Sequence, residues 1–197
     1  MTTQPELRTE RLLLRPFILA DAPTVQRLAS DREIASNTLN IPHPYEDGMA
    51  EAWISKHPQQ FRDDEFVTFA IVLERDGALI DTISLIGTIS LIGAISLIRI
   101  DRQHEHAGLG YWIGKPYWDN GYCTEAARAV VRYGFSVMGL HRIRAFHLGR
   151  NPASGQVMKK VGMVYEGCQR QHTKKWGVFE DLEMYAILKT EYEADST

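Results

Sequence analysis

The stretch that decides the fold is LIDTISLIGTISLIGAISLIRI, Leu79 to Ile100. One six-residue phrase runs there almost unchanged three times, as IDTISL, IGTISL and IGAISL. It is either a coil of a repeating β-solenoid or a copied segment set into an ordinary domain. Quantity separates the two. A solenoid coil buries its apolar face only against further coils, so the period must continue along the chain. Three hexapeptides build a single coil, and the rest of the sequence has no such period. The stretch is therefore read as a duplication. Removing two units leaves DGALIGAISLIRIDRQHEHAGLGYWIG, a strand, a polar turn and a second strand. Six is even, so a slip by one copy keeps every side chain on its own face, and the pattern predicts a poorly specified register. As one strand, residues 79–100 would span roughly 70 Å at about 3.3 Å per residue. The surplus is expected to turn back at Gly87 or Gly93, to bulge out, or to pair with another molecule, which would give a strand-swapped homodimer.

Outward from the repeat, the bulk properties exclude several classes. With 197 residues, one domain covering 1–197 is expected. A formal charge of −3 carries no basic excess for nucleic acid or an anionic membrane. Two cysteines, Cys123 and Cys168, are too few for a disulfide framework and point to a reducing compartment. The opening MTTQPELRTERLLLRPF lacks the layout of a signal peptide. The repeat itself, with Asp, Ser, Thr and Gly throughout, does not read as a membrane helix. The expectation is a cytoplasmic protein with neither a nucleic-acid nor a membrane partner.

Periodicity gives the order β-α-α-β-β-β-α-β-α-β-β. RLLLRPF opens as a strand, and LADAPTVQRLAS follows as a helix with Asp21 as N-cap and Pro23 in its first turn. A Pro-rich loop leads into a helix from about Asp47. FVTFAIVLERDGALI is a strand entering an Asp76-Gly77 turn. LGYWIGKPYW is an apolar strand, DNGYCTEAARAVVRYGFSVMGL turns into a helix, and HRIRAFHLG is a strand. NPASGQVMKKVGM carries Asn151 as N-cap and Pro152 at the first helical position, with Gly162 as the stop. Two strands joined through a Lys174–Gly177 turn close the chain.

The most chemically specific segment is the turn WDNGYCTEA. A strand ends, a Gly-containing turn follows, and a helix starts near Tyr122. The first N–H groups of a helix have no internal partner and sit at the positive end of its dipole, where a phosphate can accept from several at once. Gly121 lets the backbone approach and Thr124 adds a hydroxyl. One glycine alone is also compatible with an ordinary strand-to-helix turn.

Context extends this reading. The segments LRTERLLLRPF, GLGYWIGKPYWDNGYCTEAARAVVRYGF, HRIRAFHLGRNPASGQVMKKVGM and GVFEDLEMYAIL together resemble the GNAT family of N-acetyltransferases, and within it the RimJ/RimL-like branch that acetylates ribosomal-protein N-termini. The resemblance implies an α/β (α+β) fold with a central mixed, mostly antiparallel sheet, splayed at an acetyl-CoA cleft and flanked by helices. It implies acetyl-CoA as cosubstrate, no metal, and an amine acceptor, here a protein N-terminus. Asn120, Gly121, Tyr122, Cys123 and Thr124 would hold the CoA pyrophosphate. The strand containing Tyr111, Trp112 and Ile113 would run beside the pantetheine arm, with an N–H near Ile113 polarising the thioester carbonyl. Asn151 and Ser154 would lie beside the arm and its sulfur. His43, Tyr45 and Trp53 fall in the segment that would wall the acceptor, though Trp53 also reads as core.

The chain departs from the family pattern. Trp118 stands where the phosphate loop usually begins with Arg or Gln, Cys123 where it has Gly or Ala, and Asp119-Asn120 replaces the commoner pair. Met158 stands where many members have a catalytic tyrosine, which leaves Ser154 as the donor to the departing sulfur or as a cap of its own helix. Gly108 stands where the branch often has a glutamate, so Glu166, His147 and Asp181 are the candidate bases, each with an ordinary structural role open to it. His104 and His106 alternate without partners at metal-ligand spacing and read as a solvated hairpin. A small-molecule amine acetyltransferase, or a CoA-binding domain without activity assembled through its repeat, are the alternative readings. The hexapeptides also resemble those of left-handed β-helix acyltransferases, which the quantity argument sets aside.

Overall fold

The computed structural model describes residues 3–74 and 90–194. Eight strands form one sheet in the order β1-β2-β3-β4-β5-β6-β8-β7. They are β1 Leu7–Arg8, β2 Leu12–Pro16, β3 Phe66–Leu73, β4 Ser90–Asp101, β5 His106–Ile113, β6 Arg142–Leu148, β7 Val164–Lys175 and β8 Val178–Leu188. Every neighbouring pair is antiparallel except β5 and β6. A parallel pair needs a crossover, and helix α5, Tyr122–Ser136, supplies it. The fold is the expected α+β arrangement of a mixed sheet flanked by helices. No helix among the described residues is long and apolar enough to cross a membrane.

The helices cover both faces. α1 (Ala22–Ala29) and α3 (Met49–Ile54) pack Ala22, Val25, Ala50 and Ile54 against Leu13, Phe17, Ala70, Val72 and Ala94. On the other face, α5 and α6 (Pro152–Lys160) bury Ala126, Val130, Tyr133 and Met158 against Phe69, Ile95, Leu97 and Ile143. Strand alternation divides β5 between them: Tyr111 packs against the α5 side and Trp112 against the α1 side.

Several elements were not expected from the sequence. α2 (Arg32–Asn37) starts where the Asp31 side chain accepts from the Glu33 N–H. The helix expected from Asp47 is two, because Pro58 in the first turn starts α4 (His57–Arg62) afresh. A short α7 (Lys189–Ala194) follows β8.

The repeat is corrected in two respects. Gly93 is not a turning point. It lies inside β4, paired with Ile71 on one side and Ile113 on the other. The pairing with β3 then passes from Ile71↔Gly93 to Val72↔Leu91, which leaves Ile92 as a bulge. The register is also specified. A Cβ on Gly93 would lie 2.2 Å from the Trp112 carbonyl oxygen and 3.0 Å from the Ile113 Cα, so only glycine fits. The next residue, Ala94, is 3 % exposed beneath the α1–α3 layer. The first copy would bring Asp81 and Thr82 to these two positions, and the second Gly87 and Thr88. Only the third copy satisfies both. The Asp76-Gly77 turn, Gly87 and the rest of the first two copies up to Ile89 lie outside the described residues.

His57 is buried at 5 % exposure between Phe17 (ring centroids 5.3 Å) and Trp53 (4.4 Å), and neither ring nitrogen has a hydrogen-bond partner. Desolvation lowers its pKa to about 4.

Two outcomes follow from this packing. Gly93→Val should lower stability by roughly 3 kcal/mol in denaturant titration despite valine's strand preference, whereas Ser96→Ala, which loses one hydroxyl contact to Thr68, should cost about 1 kcal/mol. The unfolded chain takes up a proton on His57 below about pH 6.5, and the folded chain does so only below about 4. The stability in place above pH 6.5 should therefore fall by about 3 kcal/mol as pH drops through that window, and His57→Leu should remove this component.

Candidate active site

The site starts from a strand that loses one neighbour. β5 and β6 pair only at His106↔Arg142, Ala107↔Ile143 and Gly108↔Arg144. Beyond Gly108, β5 stays registered with β4 as far as Ile113↔Gly93, and β6 stays registered with β8 as far as Leu148↔Leu182. The two inner edges therefore diverge. The Gly114 N–H donates to Ile92 O at 2.8 Å, and the Trp112 carbonyl faces Gly93. Alternation then turns the backbone N–H groups of Tyr111 and Ile113 toward the gap. The Ile113 carbonyl on that edge accepts from the Trp118 indole at 2.6 Å. Trp118, at the family's usual Arg or Gln position, thus holds the loop against the strand.

The loop is shaped by two residues of positive φ, Asp119 at 60° and Gly121 at 78°. Asn120 Nδ2 donates to Trp118 O. The first helical bond of α5 runs from Glu125 N to Gly121 O, so the N–H groups of Tyr122, Cys123 and Thr124 precede the ladder. No side chain caps this helix. Arg11, at the entry to β2, clasps the loop from outside. Its Nη1 donates to Asn120 O at 3.1 Å, and its guanidinium lies 4.7 Å from the Tyr122 ring centroid. Glu125 holds that arginine with oxygens 2.7 Å from Nε and 2.9 Å from the Arg11 backbone N, and also accepts from Thr9 Oγ1 at 2.6 Å. Burial opposes the Glu125 charge, yet these bonds from Thr9 and Arg11 hold its carboxyl below its ordinary value. Burial pushes the Cys123 thiol up to about 12, so it stays protonated at neutral pH.

Across the gap stands the first turn of α6. Asn151 is its cap: its side-chain oxygen accepts from Ser154 N at 3.4 Å, while its Nδ2 faces Asn37 O at 3.4 Å. Ser154 is therefore not the capping residue. Its hydroxyl lies 3.0 Å from the Tyr111 hydroxyl, which also donates to the Ser154 carbonyl at 3.0 Å. Burial raises the Tyr111 pKa, and the phenol stays neutral. Met158 is 1 % exposed and belongs to the core.

The residues expected on the acceptor side do not converge on one another. Trp53 packs edge-on against Phe17, 5.0 Å between centroids, and against His57. Tyr45 accepts from Gln26 through its carbonyl. His43 lies 6.2 Å from Trp176 in the β7–β8 turn. Cations tie residues 36–41 to the segment after β6 and to β7. Arg150 donates to Ser36 and pairs with Glu180, and the Lys175 ammonium, 7 % exposed, donates to Leu39 O and Ile41 O.

The candidate bases are not drawn into the Tyr111–Ser154 contact. Glu166 pairs with Arg142, in the first register pair of β6, at the closed end of the β5–β6 gap. His147 is buried, with Nδ1 2.8 Å from Leu148 O and its ring stacked on Tyr185. Asp181 accepts from Gln171 N at 2.6 Å. His104 and His106 stack on each other at the β4–β5 turn. The sequence reading missed the Arg11–Glu125 clasp and the Tyr111 hydroxyl. The clasp joins residues 114 apart, and the phase of Tyr111 needs the register of β5.

An extended edge with free amides, running into a glycine turn and a helix N-terminus, fits a long thioester arm ending in a pyrophosphate. Arg11→Met should weaken acetyl-CoA binding about tenfold by titration calorimetry, some 1.4 kcal/mol, with the fold intact by circular dichroism. An unchanged Kd would show that the loop keeps its shape without the clasp.

Residues 11–164 match the family described as Acetyltransferase (GNAT) domain. The chain is similar to the uncharacterized N-acetyltransferase YnaD of Bacillus subtilis (strain 168), 31% identical over 94% of this chain and 98% of the relative. It is similar to the putative ribosomal N-acetyltransferase YdaF of the same organism, 34% identical over 61% of this chain and 59% of the relative. Its fold is similar to the crystal structure of a GNAT-family acetyltransferase from Bacillus anthracis, with a TM-score of 0.77 and 28% identity over 94% of this chain and 99% of that one. The split sheet, its glycine turn and these likenesses agree: the chain belongs to the GNAT acetyltransferase family and is an acetyl-CoA-dependent N-acetyltransferase.

Proposed function

We propose that the acceptor is the N-terminal α-amine of a protein, of the ribosomal-protein type. The observation that carries this reading is the neutrality of the groups gathered at the gap. They are backbone amides and two hydroxyls, Tyr111 and Ser154, one of which is held neutral by burial. A catalyst of that kind suits an amine that sheds its own proton to solvent. An α-amine does so near pH ~8, a lysine only near ~10.4. YdaF, named as a putative ribosomal N-acetyltransferase, supports the same class.

Acetyl-CoA supplies the activated acetyl thioester. The N–H groups of Tyr122, Cys123 and Thr124, with Asn120 and Gly121 shaping the turn, hold the pyrophosphate at the positive end of α5. The free edge of β5 at Tyr111 and Ile113, with Trp112 fixed behind it, binds the arm as a neighbouring strand would, and the Ile113 N–H is the donor for the thioester oxygen. Asn151 orients the first turn of α6, and Ser154 donates to the sulfur. The acceptor enters beside the segment carrying His43 and Tyr45, with Trp53 packed against Phe17 behind it. Water takes the acceptor's proton, and Glu166 has no part in the step.

The test is a panel of acceptors with acetyl-CoA, read by thiol release and mass spectrometry: peptides with a free α-amine and no lysine, α-acetylated peptides with one lysine, and spermidine. At pH 7 the neutral fraction of an α-amine exceeds that of lysine by about two-hundredfold, and kcat/KM for the free α-amine should exceed the lysine value to that extent and level off above pH ~8. Turnover confined to lysine or spermidine would replace this reading with a side-chain or small-amine acetyltransferase.

A further inference from the structure

We infer that Tyr111 is a positioning residue that sets the direction of the Ser154 proton, turning it toward the departing sulfur. This rests on the reading that places Ser154 at the thioester. The Tyr111 hydroxyl lies 3.0 Å from both the Ser154 carbonyl oxygen and the Ser154 Oγ. A phenol has one proton, and two arrangements bond the two hydroxyls to each other. In the first, Tyr111 donates to the carbonyl and Ser154 donates to the phenol oxygen, which uses up the serine proton. In the second, Tyr111 donates to Oγ, and the serine proton is free for a third acceptor. The carbonyl loses little in the exchange, because it lies inside α6 and faces the N–H four residues on.

Position decides which acceptor makes the choice. Tyr111 lies on β5 beyond its last pair with β6, and Ser154 lies on the helix that follows β6, so their contact bridges the gap. A neutral thioester sulfur is a weak acceptor, whereas a thiolate is a strong one. Charge that develops on sulfur selects the second arrangement, in which two donors act in series. The acceptor nitrogen forms its bond to the acetyl carbon, the C–S bond breaks, and its electron pair stays on sulfur. The nitrogen's proton goes to water. Tyr111 and Ser154 keep their protons throughout, as burial of the phenol, next to the Cys123 thiol, requires. The pair therefore stabilises a thiolate and does not protonate it.

This can be read without any acceptor, in the binary complex with CoA. The ultraviolet absorbance of the thiolate gives the pKa of bound CoA. Cys123 interferes little, since burial pushes its thiol up to about 12, and the exposed Cys168 is subtracted using the titration of the protein without CoA. In the wild-type protein the bound thiol should titrate about one unit below free CoA, a tenfold shift in its acid dissociation. Tyr111→Phe should return most of that shift while keeping the Kd for CoA within about twofold. Ser154→Ala should do the same, and the double variant should go no further than either one. A bound thiol that titrates identically in wild type and Tyr111→Phe would overturn the inference and leave the proposed function standing. Failure of the folded wild-type protein to bind CoA would overturn both.

Discussion

A strand in the middle of a sheet has two edges to satisfy, and β5 is given a partner for only one and a half of them. Backbone N–H and C=O groups inside a protein must be paired, and the free edge of β5 between Leu109 and Ile113 meets that demand only in part through Trp118. In the proposed reading the rest of the edge is the binding surface, built from the main chain and independent of the side chains that loops usually bring to a site. What surrounds it serves to keep it open and aimed. α5 makes the crossover that sets β6 parallel, the positive-φ turn at Asp119 and Gly121 carries the chain from the edge to a helix N-terminus, and Arg11 with Glu125 fixes that turn from the far side of β2.

The same constraint explains what the repeat can and cannot do. β4 is the support on which the free edge depends, since it pairs with β5 from Gly93 to Ile98. A strand made of near-identical phrases might be thought free to slide, because a six-residue slip preserves the two faces. Faces are only one of its obligations. The backbone of β5 approaches so closely at Trp112 that a side chain at position 93 has no room, and Ala94 is buried beneath the α1–α3 layer. The copy that holds both small residues in succession lies in β4. A slip would press a threonine, and for the first copy also an aspartate, against the support of the site.

Much of this was legible in the residues. The segment from Leu109 to Ser136 announces its strand, turn and helix because an apolar run, a glycine and a 3.6-residue pattern follow one another without ambiguity. Asn151 and Pro152 mark the start of α6 equally well. What stayed hidden depends on contacts between distant parts. α2 is a six-residue helix that buries Ile34 and Ala35, and its Asp31 cap and its ties to Arg150 and Lys115 are set by contacts with distant residues as well as local ones. Glu166 looked like a candidate base because sequence cannot say which end of the β5–β6 gap it faces. It faces the closed end, beside Arg142. Tyr111 passed as a lining residue because its hydroxyl meets Ser154 only when the phase of β5 and the start of α6 are both known.

The central claim is that the free edge of β5 is where acetyl-CoA binds. Amide hydrogen exchange followed by NMR, with and without acetyl-CoA, tests it at single residues. The account predicts that the amides of Tyr111 and Ile113 become strongly protected on binding, together with those of Tyr122 to Thr124, while Gly114, already bonded to Ile92, changes little. Saturable binding that protects the α5 turn and leaves Tyr111 and Ile113 exchanging as before would contradict it, since the arm would then lie outside the gap.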